Sequence, residues 1–189
     1  LEDYIKREGF NPAVSALLRP LIRSLQQWDR RACKGVDHFI AISSAVQRRI
    51  ALVYNRDSVI IHPPVEIDRF SPVEKPHDYF LVVSRLIPYK RLDLAVQACT
   101  KLNLPLIIAG EGRDRERLQA IAGPSVSFLG RVSHEDLPDL LAHCRALVFP
   151  GLEDFGITPL QAMASGRPVI AFAGGGALDY VREGETGCL

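Results

Sequence analysis

Residues 79–109 read YFLVVSRLIPYKRLDLAVQACTKLNLPLIIA, two apolar runs joined by a helical pattern. The runs at Tyr79–Val83 and Pro105–Ala109 are continuous rather than alternating, which is typical of strands buried on both faces of a sheet. Between them, Arg91–Leu102 repeats apolar residues at helical spacing. A strand, a helix and a second strand of these lengths form a right-handed βαβ unit, so the stretch predicts two parallel strands.

The same alternation continues through most of the chain. We predict further strands at His38–Ile42, Ser58–His62, Val126–Leu129, Ala146–Phe149 and Val169–Phe172. The other predicted helices are Ala45–Tyr54, Arg113–Ala122, His134–Cys144, Thr158–Ala164 and Leu178–Arg182. Residues 184–187 form a turn that leads into the start of a further strand. This order predicts an α/β fold with a doubly wound parallel sheet covered by helices on both faces.

The composition is that of a globular protein. The 189 residues carry a formal net charge of +1, with 47% hydrophobic and 24% charged residues, which excludes a disordered chain and a coiled coil. No apolar stretch approaches the roughly 18 residues of a membrane-spanning helix, and Leu1 begins no signal-peptide pattern. The four cysteines are scattered without metal-ligand spacing, so we interpret them as reduced core thiols of a cytoplasmic protein.

Positive charge is concentrated near the amino terminus. Residues 1–56 contain ten Lys and Arg against five Asp and Glu. Asn11 and Pro12 are typical of a helix start, and the apolar spacing that follows predicts an amphipathic helix bent at Pro20. The basic character of this segment has two interpretations, a solvated helix face or contact with an anionic surface such as a membrane. We predict no nucleic-acid partner.

The loops that follow the predicted strands are the expected ligand site, because ligands of such sheets bind outside the carboxyl ends of the strands. Three of these loops carry glycine next to a helix start. Neither a Gly-x-Gly-x-x-Gly fingerprint nor a Walker loop is present. Their absence weighs against dinucleotide oxidoreductases and P-loop enzymes.

Two cations lie in the loop after the strand Tyr79–Val83. Arg85 and Lys90 flank a turn that contains Pro88, so both side chains are expected at the ligand edge of the sheet. A diphosphate is the natural partner, since each charge-assisted hydrogen bond contributes roughly 1.5–3 kcal/mol. The alternative is a pair of solvated loop cations.

A second polar loop, residues 153–161, reads EDFGITPLQ. Gly156 allows the backbone to pass close to a ligand. The amides of Ile157 and Thr158 lie at the start of a predicted helix, where unpaired donors favour an anion. The first carboxylate, Glu153, has two interpretations: it serves a neutral polyol, or it only complements the helix dipole.

The order of these motifs resembles one known family. The motifs are VSRL with Lys90 at residues 83–90, IAGEG at 108–112, FLG at 128–130, and EDFG with AMASGRPVI at 153–170. In this order they are similar to the group 1 (family four) glycosyltransferases, with a match from about Asp37 to Leu189. The resemblance implies a GT-B architecture in which residues 37–189 form a C-terminally truncated, Rossmann-like nucleotide-sugar-binding domain. Residues 1–36 would then be the helical end of the acceptor-side domain plus the linker.

The resemblance also implies roles for individual residues. Arg85 and Lys90 would hold the donor diphosphate and Glu153 would contact hydroxyls of the donor sugar, so these three are the expected catalytic residues. The other expected donor-binding residues are Gly110, Glu111, Arg131, Val132, Phe155, Gly156, Ile157, Thr158 and Gln161. Main-chain groups at 131 and 132 would contact the base, and the amides of 157 and 158 a phosphate. The family usually has a glutamate touching the ribose where this chain has Gln161, whose amide can still pair with a ribose hydroxyl.

The implied activity is retaining transfer of a hexose from a nucleotide-diphospho-sugar to a polysaccharide or glycolipid acceptor. The segment GGGALD at residues 174–179 looks similar to mannosyl-transferring members. No Asp-x-Asp pair occurs in the chain, so we expect no catalytic metal, and we predict no cofactor. The alternatives are a GT-B nucleotide-sugar epimerase and a nucleotide-binding module without catalysis. We expect this segment alone to bind a nucleoside diphosphate without turning over sugar.

Overall fold

The computed structural model describes residues 12–189, with side chains from Leu18 onward. The chain forms two compact units that divide between His62 and Pro63. This division lies after the predicted boundary between residues 36 and 37, so the first predicted strand–helix–strand segment belongs to the first unit. The predicted helix cap at Asn11 lies outside the described residues.

The first unit combines two helices with a small sheet. Its elements are helix α1 (Pro12–Ala32), a 3₁₀ turn (Cys33–Gly35), strand β1 (Ile40–Ala41), helix α2 (Ser44–Tyr54) and strand β2 (Val59–Ile60). The two strands pair in parallel. Ser43 begins α2 because its hydroxyl accepts a hydrogen bond from the Val46 amide at 3.2 Å. Among the described residues, no helix is both long enough and apolar enough to cross a bilayer.

A six-stranded parallel sheet forms the centre of the second unit. Its strands are β3 (Phe80–Val83), β4 (Leu106–Ala109), β5 (Val126–Gly130), β6 (Ala146–Phe149), β7 (Val169–Ala171) and β8 (Gly187–Cys188). The helices between them are α3 (Leu92–Leu102), α4 (Arg115–Ile121), α5 (Leu137–His143) and α6 (Ile157–Ala164). The order across the sheet is β5-β4-β3-β6-β7-β8, and every neighbouring pair is parallel. The prediction of a doubly wound α/β sheet is therefore confirmed.

Each face of this sheet has its own buried core. Along β3, Leu81 packs in one cluster and Val82 in the other, because neighbouring side chains of a strand point to opposite faces. Leu147 of β6 lies with Leu81, and Ile108 of β4 lies with Val82. The continuous apolar runs in the sequence follow directly from burial on both faces.

The cysteines divide between buried and accessible positions. Cys99 and Cys144 are buried, whereas Cys33 is half-buried and Cys188 is exposed. Burial raises the pKa of the Cys144 thiol to about 11. The prediction of core thiols therefore holds for two of the four residues and is wrong for Cys188.

The predicted helix at Leu178–Arg182 is wrong. A 3₁₀ turn at Gly175–Asp179 occupies this region and ends at Tyr180. Within the turn the Tyr180 amide donates to the Ala177 carbonyl at 3.3 Å, and Gly175 adopts a positive φ of 67°. The Ala177 carbonyl also accepts the Val181 amide at 2.9 Å, but this single i to i+4 bond is not continued into an α-helix.

Several other elements are present but begin or end at residues different from those predicted. The helix expected from His134 begins at Leu137, because the Ser133 hydroxyl accepts the Asp136 amide at 3.0 Å in the turn before it. The strand start expected after residues 184–187 is present as β8, which pairs with β7 at the edge of the sheet.

Candidate functional site

The sheet order reverses between β3 and β6. The chain runs outward from β3 through β4 to β5 and then returns to place β6 on the other side of β3. At such a point the loops after the two central strands separate and leave a crevice at their carboxyl ends. Residues 84–90 follow β3 and residues 150–156 follow β6, so the two predicted polar loops meet at this crevice.

Lys90 and Glu153 form an ion pair in this crevice, between the Lys90 Nζ and the Glu153 Oε1. Their side chains are only 16% and 18% exposed, and the Glu153 Oε1 atom itself is buried. The cleft around them is lined by Ser84, Phe149 and Gly151. Partial burial weakens screening by water, so the two charges hold each other in place more firmly than a surface pair would.

Helix α6 begins at Ile157, shortly after Glu153 in the chain. This start lies one residue before the prediction, and the N-cap is Gly156 with a φ of 90°. Glycine has no side chain with which to cap the first amides, so their N–H groups are donors without a capping partner. Together with the helix dipole, such donors favour an anion at this end of α6.

Arg85 occupies a different environment from Lys90, although both belong to one loop. The Arg85 side chain is exposed and has no ion pair among the described residues. The loop around it is fixed through Leu86, whose amide donates to the Glu111 carbonyl at 2.9 Å and whose carbonyl accepts the Asp114 amide at 3.0 Å. The main chain at Arg85 is thus anchored, while its guanidinium is free to reach a ligand.

The loops after β4 and β5 lie beside each other at the same edge of the sheet. The Gly110 amide donates to the Gly130 carbonyl at 2.6 Å. Glu111 and Arg131 are exposed. Val132 is half-buried, with its side chain packed against the core. The expected base-contacting segment therefore lies next to the crevice loops, and Val132 presents its side chain to the protein.

Two further expected site residues lie around α6. Phe155 is only 4% exposed, and its ring packs edge to face against Tyr180 with centroids 5.5 Å apart. The Phe155 side chain therefore belongs to the protein interior, so only its main chain is open to a donor. Gln161 lies in the second turn of α6 and is half-buried.

Tyr180 is a site residue that the sequence patterns missed. Its hydroxyl donates to the Phe155 carbonyl at 2.6 Å. Burial, aided by the nearby Glu153 and Asp179 charges, raises the pKa of this hydroxyl well above its ordinary value, so it stays protonated. No motif singles it out, because the pattern around it predicted an ordinary helix.

A wider concavity of about 410 Å³ lies in the first unit. Its lining includes Arg56, but that guanidinium already donates to the carbonyls of Val36 at 2.9 Å and Asp37 at 3.1 Å. Between residues 12 and 189, no three His, Cys, Asp or Glu side chains converge as metal ligands. Sheet topology and the buried ion pair favour the crevice of the second unit as the functional site.

Comparison with known proteins gives one consistent family. The family model described as Glycosyl transferases group 1 matches residues 65–189. The match begins just after the division between the two units, and later than the expected start near Asp37. A D-inositol 3-phosphate glycosyltransferase of Mycobacterium tuberculosis (strain ATCC 25618 / H37Rv) is 30% identical over 187 residues, covering 85% of this chain and 39% of that relative. The chain thus spans about two fifths of the length of the curated relatives it matches.

Solved structures share the fold. Sucrose-phosphate synthase from Thermosynechococcus elongatus superposes with a TM-score of 0.77 at 26% identity, covering 88% of this chain and 48% of that one. HepE of Anabaena, solved in complex with UDP and glucose, gives a TM-score of 0.76 at 21% identity, covering 87% of this chain and 52% of that one. The Rossmann-like half of a GT-B architecture is therefore confirmed as the fold.

Proposed function

Since this chain belongs to the group 1 glycosyl transferases, we propose that it supplies the donor site of a retaining hexosyltransferase. The donor is a nucleotide-diphospho-sugar, and the acceptor is a hydroxyl of a polysaccharide or glycolipid. The observation that carries this proposal is the partly buried ion pair of Lys90 and Glu153 beside the start of α6. It brings a cation, a carboxylate and free amides together where the sheet order reverses.

Lys90 and the start of α6 bind the diphosphate. The ammonium of Lys90 has three N–H donors, so it can keep its contact with Glu153 and still donate to a phosphate oxygen. The amides of Ile157 and Thr158 add donors from the helix end. Arg85, exposed on an anchored loop, closes onto the same diphosphate from solvent.

Glu153 binds the hexose. Its carboxylate is held by Lys90 and only accepts hydrogen bonds, which suits the hydroxyls of a sugar. Charge repulsion between the Glu153 carboxylate and the phosphates keeps the diphosphate away from this carboxylate. The pair therefore separates two subsites, a cationic one for the diphosphate and an anionic one for the polyol.

In the transfer step, the bond between the anomeric carbon and the diphosphate oxygen breaks, and its electron pair stays on the diphosphate. The acceptor oxygen bonds to the anomeric carbon on the same face, and its proton passes to the departing diphosphate oxygen. Negative charge grows on the departing diphosphate. Lys90 and the amides of α6 are already oriented there, and Arg85 closes onto the diphosphate when the donor binds. Such preorganised donors stabilise the transition state without reorganising during the reaction.

Mannose is the hexose we propose, on the similarity of residues 174–179 to mannosyl-transferring enzymes. The two alternative functions predict different products. An epimerase would release an altered nucleotide-sugar without any acceptor, and a non-catalytic module would bind donor and release nothing. Joint presence of Arg85, Lys90 and Glu153 supports the transferase.

The direct test is a donor screen by thermal shift, followed by product analysis. UDP, GDP and ADP and their glucose or mannose conjugates are added to the protein, and the stabilising donor is then incubated with the full-length enzyme that contains this chain and with saccharide and lipid-linked acceptors. We expect a diphosphate to raise the melting temperature and the matching nucleotide-sugar to yield a glycosylated acceptor. Stabilisation without any glycoside would favour the binding module.

We also propose that the protein is cytoplasmic and touches an anionic membrane surface through α1. Leu21, Leu25 and Trp28 of this helix are 56%, 54% and 66% exposed, and its last turn carries Arg30 and Arg31. Apolar and cationic side chains on one helix match an anionic lipid interface. Vesicles of phosphatidylcholine with phosphatidylglycerol should bind the protein, and Trp28→Ala should weaken that binding. If vesicles do not bind, α1 is covered by another part of the protein.

A further inference from the structure

We infer that Tyr180 is a positioning residue for the anion-binding start of α6, an inference that rests on the proposed binding of a nucleotide-diphospho-sugar. Tyr180 is half-buried at the end of the 3₁₀ turn Gly175–Asp179. It meets the loop before α6 in two ways. Its hydroxyl donates to the Phe155 carbonyl at 2.6 Å, and its ring packs edge to face against the Phe155 ring.

The hydrogen bond from Tyr180 fixes the peptide that leads into α6. The Phe155 carbonyl and the Gly156 N–H belong to one trans peptide, so they lie in one plane and point in opposite directions. Gly156 adopts a φ of 90°. Because glycine has no side chain, its backbone is flexible at this point unless a neighbouring contact fixes it. By holding the carbonyl, Tyr180 sets the direction of the Gly156 N–H beside the first amides of α6.

The turn that carries Tyr180 holds the same loop at a second point. The Gly176 amide donates to the Glu153 carbonyl at 2.8 Å. A Cβ at Gly176 would lie 2.5 Å from both the Asp154 oxygen and the Phe155 Cα, so only glycine permits this approach. The loop from Glu153 to Gly156 is therefore fixed on both sides of its bend. Its carboxylate and its amides keep one relative geometry as long as both contacts hold.

Tyr79 provides a matched control for this role. Its hydroxyl donates to the Leu140 carbonyl at 2.8 Å, and burial raises its pKa to about 12. Tyr79 precedes β3, at the amino end of the sheet, whereas Tyr180 contacts a loop at the carboxyl end. Replacing either residue with phenylalanine removes one hydroxyl bonded to a main-chain carbonyl and keeps the ring.

The experiment measures binding of UDP, GDP and ADP, and of uridine, guanosine and adenosine, to the intact parent, Tyr180→Phe and Tyr79→Phe proteins by calorimetry. We expect the parent to prefer the diphosphate of one base over its nucleoside. In Tyr180→Phe, the ratio of diphosphate affinity to nucleoside affinity should fall five- to tenfold, while the affinity for the nucleoside stays the same. Tyr79→Phe should keep the whole preference although its melting temperature falls by a similar amount.

Hydrogen exchange of the same proteins gives a second readout that needs no ligand. The amides of residues 156–158 should exchange faster in Tyr180→Phe than in the parent or in Tyr79→Phe. An unchanged diphosphate preference in Tyr180→Phe, or an equal loss in both variants, would overturn the positioning role and leave the proposed function intact. A parent that shows no preference for a diphosphate would overturn the proposed function, and the positioning role with it.

Discussion

The two units of the chain use the same strand–helix–strand connection but differ in burial. In the second unit, Leu81 and Val82 of the central strand are 0% and 1% exposed. In the first unit, Ile40 of β1 and Val59 of β2 are 61% and 66% exposed. Parallel strands are stable when both faces are covered, and a sheet of two strands is marginal by itself.

This difference shows what a parallel sheet needs before it can hold a functional site. Strand ends fixed by two cores can hold Lys90 and Glu153 in one geometry, because the loops they belong to start from rigid positions. The first unit offers a helix with exposed apolar and basic side chains and a small sheet with one open face. It is suited to contact with a further surface rather than to binding a small ligand by itself.

The largest predicted effect tests this difference in burial directly. Leu147→Ala in the second unit should reduce the free energy of unfolding by roughly 2–5 kcal/mol, because it removes a buried side chain and leaves a cavity. Leu52→Ala in the first unit should change it little, since Leu52 is 85% exposed. Urea unfolding of the intact protein measures both. Similar losses in the two variants would mean that the surface around Leu52 is covered in solution.

Most of the fold could be predicted because burial on both faces leaves a clear pattern. Continuous apolar runs located all the main strands, and β6 matched its predicted range, Ala146–Phe149. The predicted helix at residues 178–182 failed for a tertiary reason. There the main chain of Gly176 packs against that of Asp154 and Phe155, a contact between distant segments that local periodicity does not contain.

The site could be predicted in composition but not in geometry. The motif order indicated Lys90 and Glu153 as separate ligands of a donor, and no pattern indicated that they pair with each other. Their pairing depends on β6 lying next to β3, and strand order cannot be read from hydrophobic periodicity. The burial of the Phe155 ring could not be predicted either, since a buried ring and an exposed one look alike in sequence.

The next effect tests whether ligand binding belongs to the second unit alone. Lys90→Ala should weaken a nucleoside diphosphate by roughly 1.5–3 kcal/mol and its bare nucleoside hardly at all, because it removes a charge-assisted bond to phosphate. Lys34→Ala, which removes an exposed cation of the first unit, should leave both affinities unchanged. Calorimetric titration distinguishes the two. If Lys90→Ala binds like the parent, Lys90 serves only the ion pair.

A smaller effect is expected from the partner of Lys90. In the full-length enzyme, Glu153→Ala should lower kcat of the transfer reaction about tenfold or more, equivalent to about 1.4 kcal/mol, because it removes the proposed contact to the reacting sugar. Affinity for the product diphosphate should stay the same or rise, since Lys90 is released from its carboxylate. Asp57→Ala, an exposed acid of the first unit, is the control. Unchanged kcat in Glu153→Ala would reduce this carboxylate to a helix-dipole role.

The smallest effect separates two polar residues within the second unit. Gln161→Ala removes a proposed ribose contact that substrate and product share, so KM and the product inhibition constant should rise by similar factors. Because a contact made equally in the ground and transition states does not change the chemical barrier, kcat should change less than it does in Glu153→Ala. Gln161→Glu should be tolerated, since a carboxylate accepts the same ribose hydroxyls. Steady-state kinetics with product titration measures all three constants, and a fall in kcat at constant KM would place Gln161 with the sugar rather than the ribose.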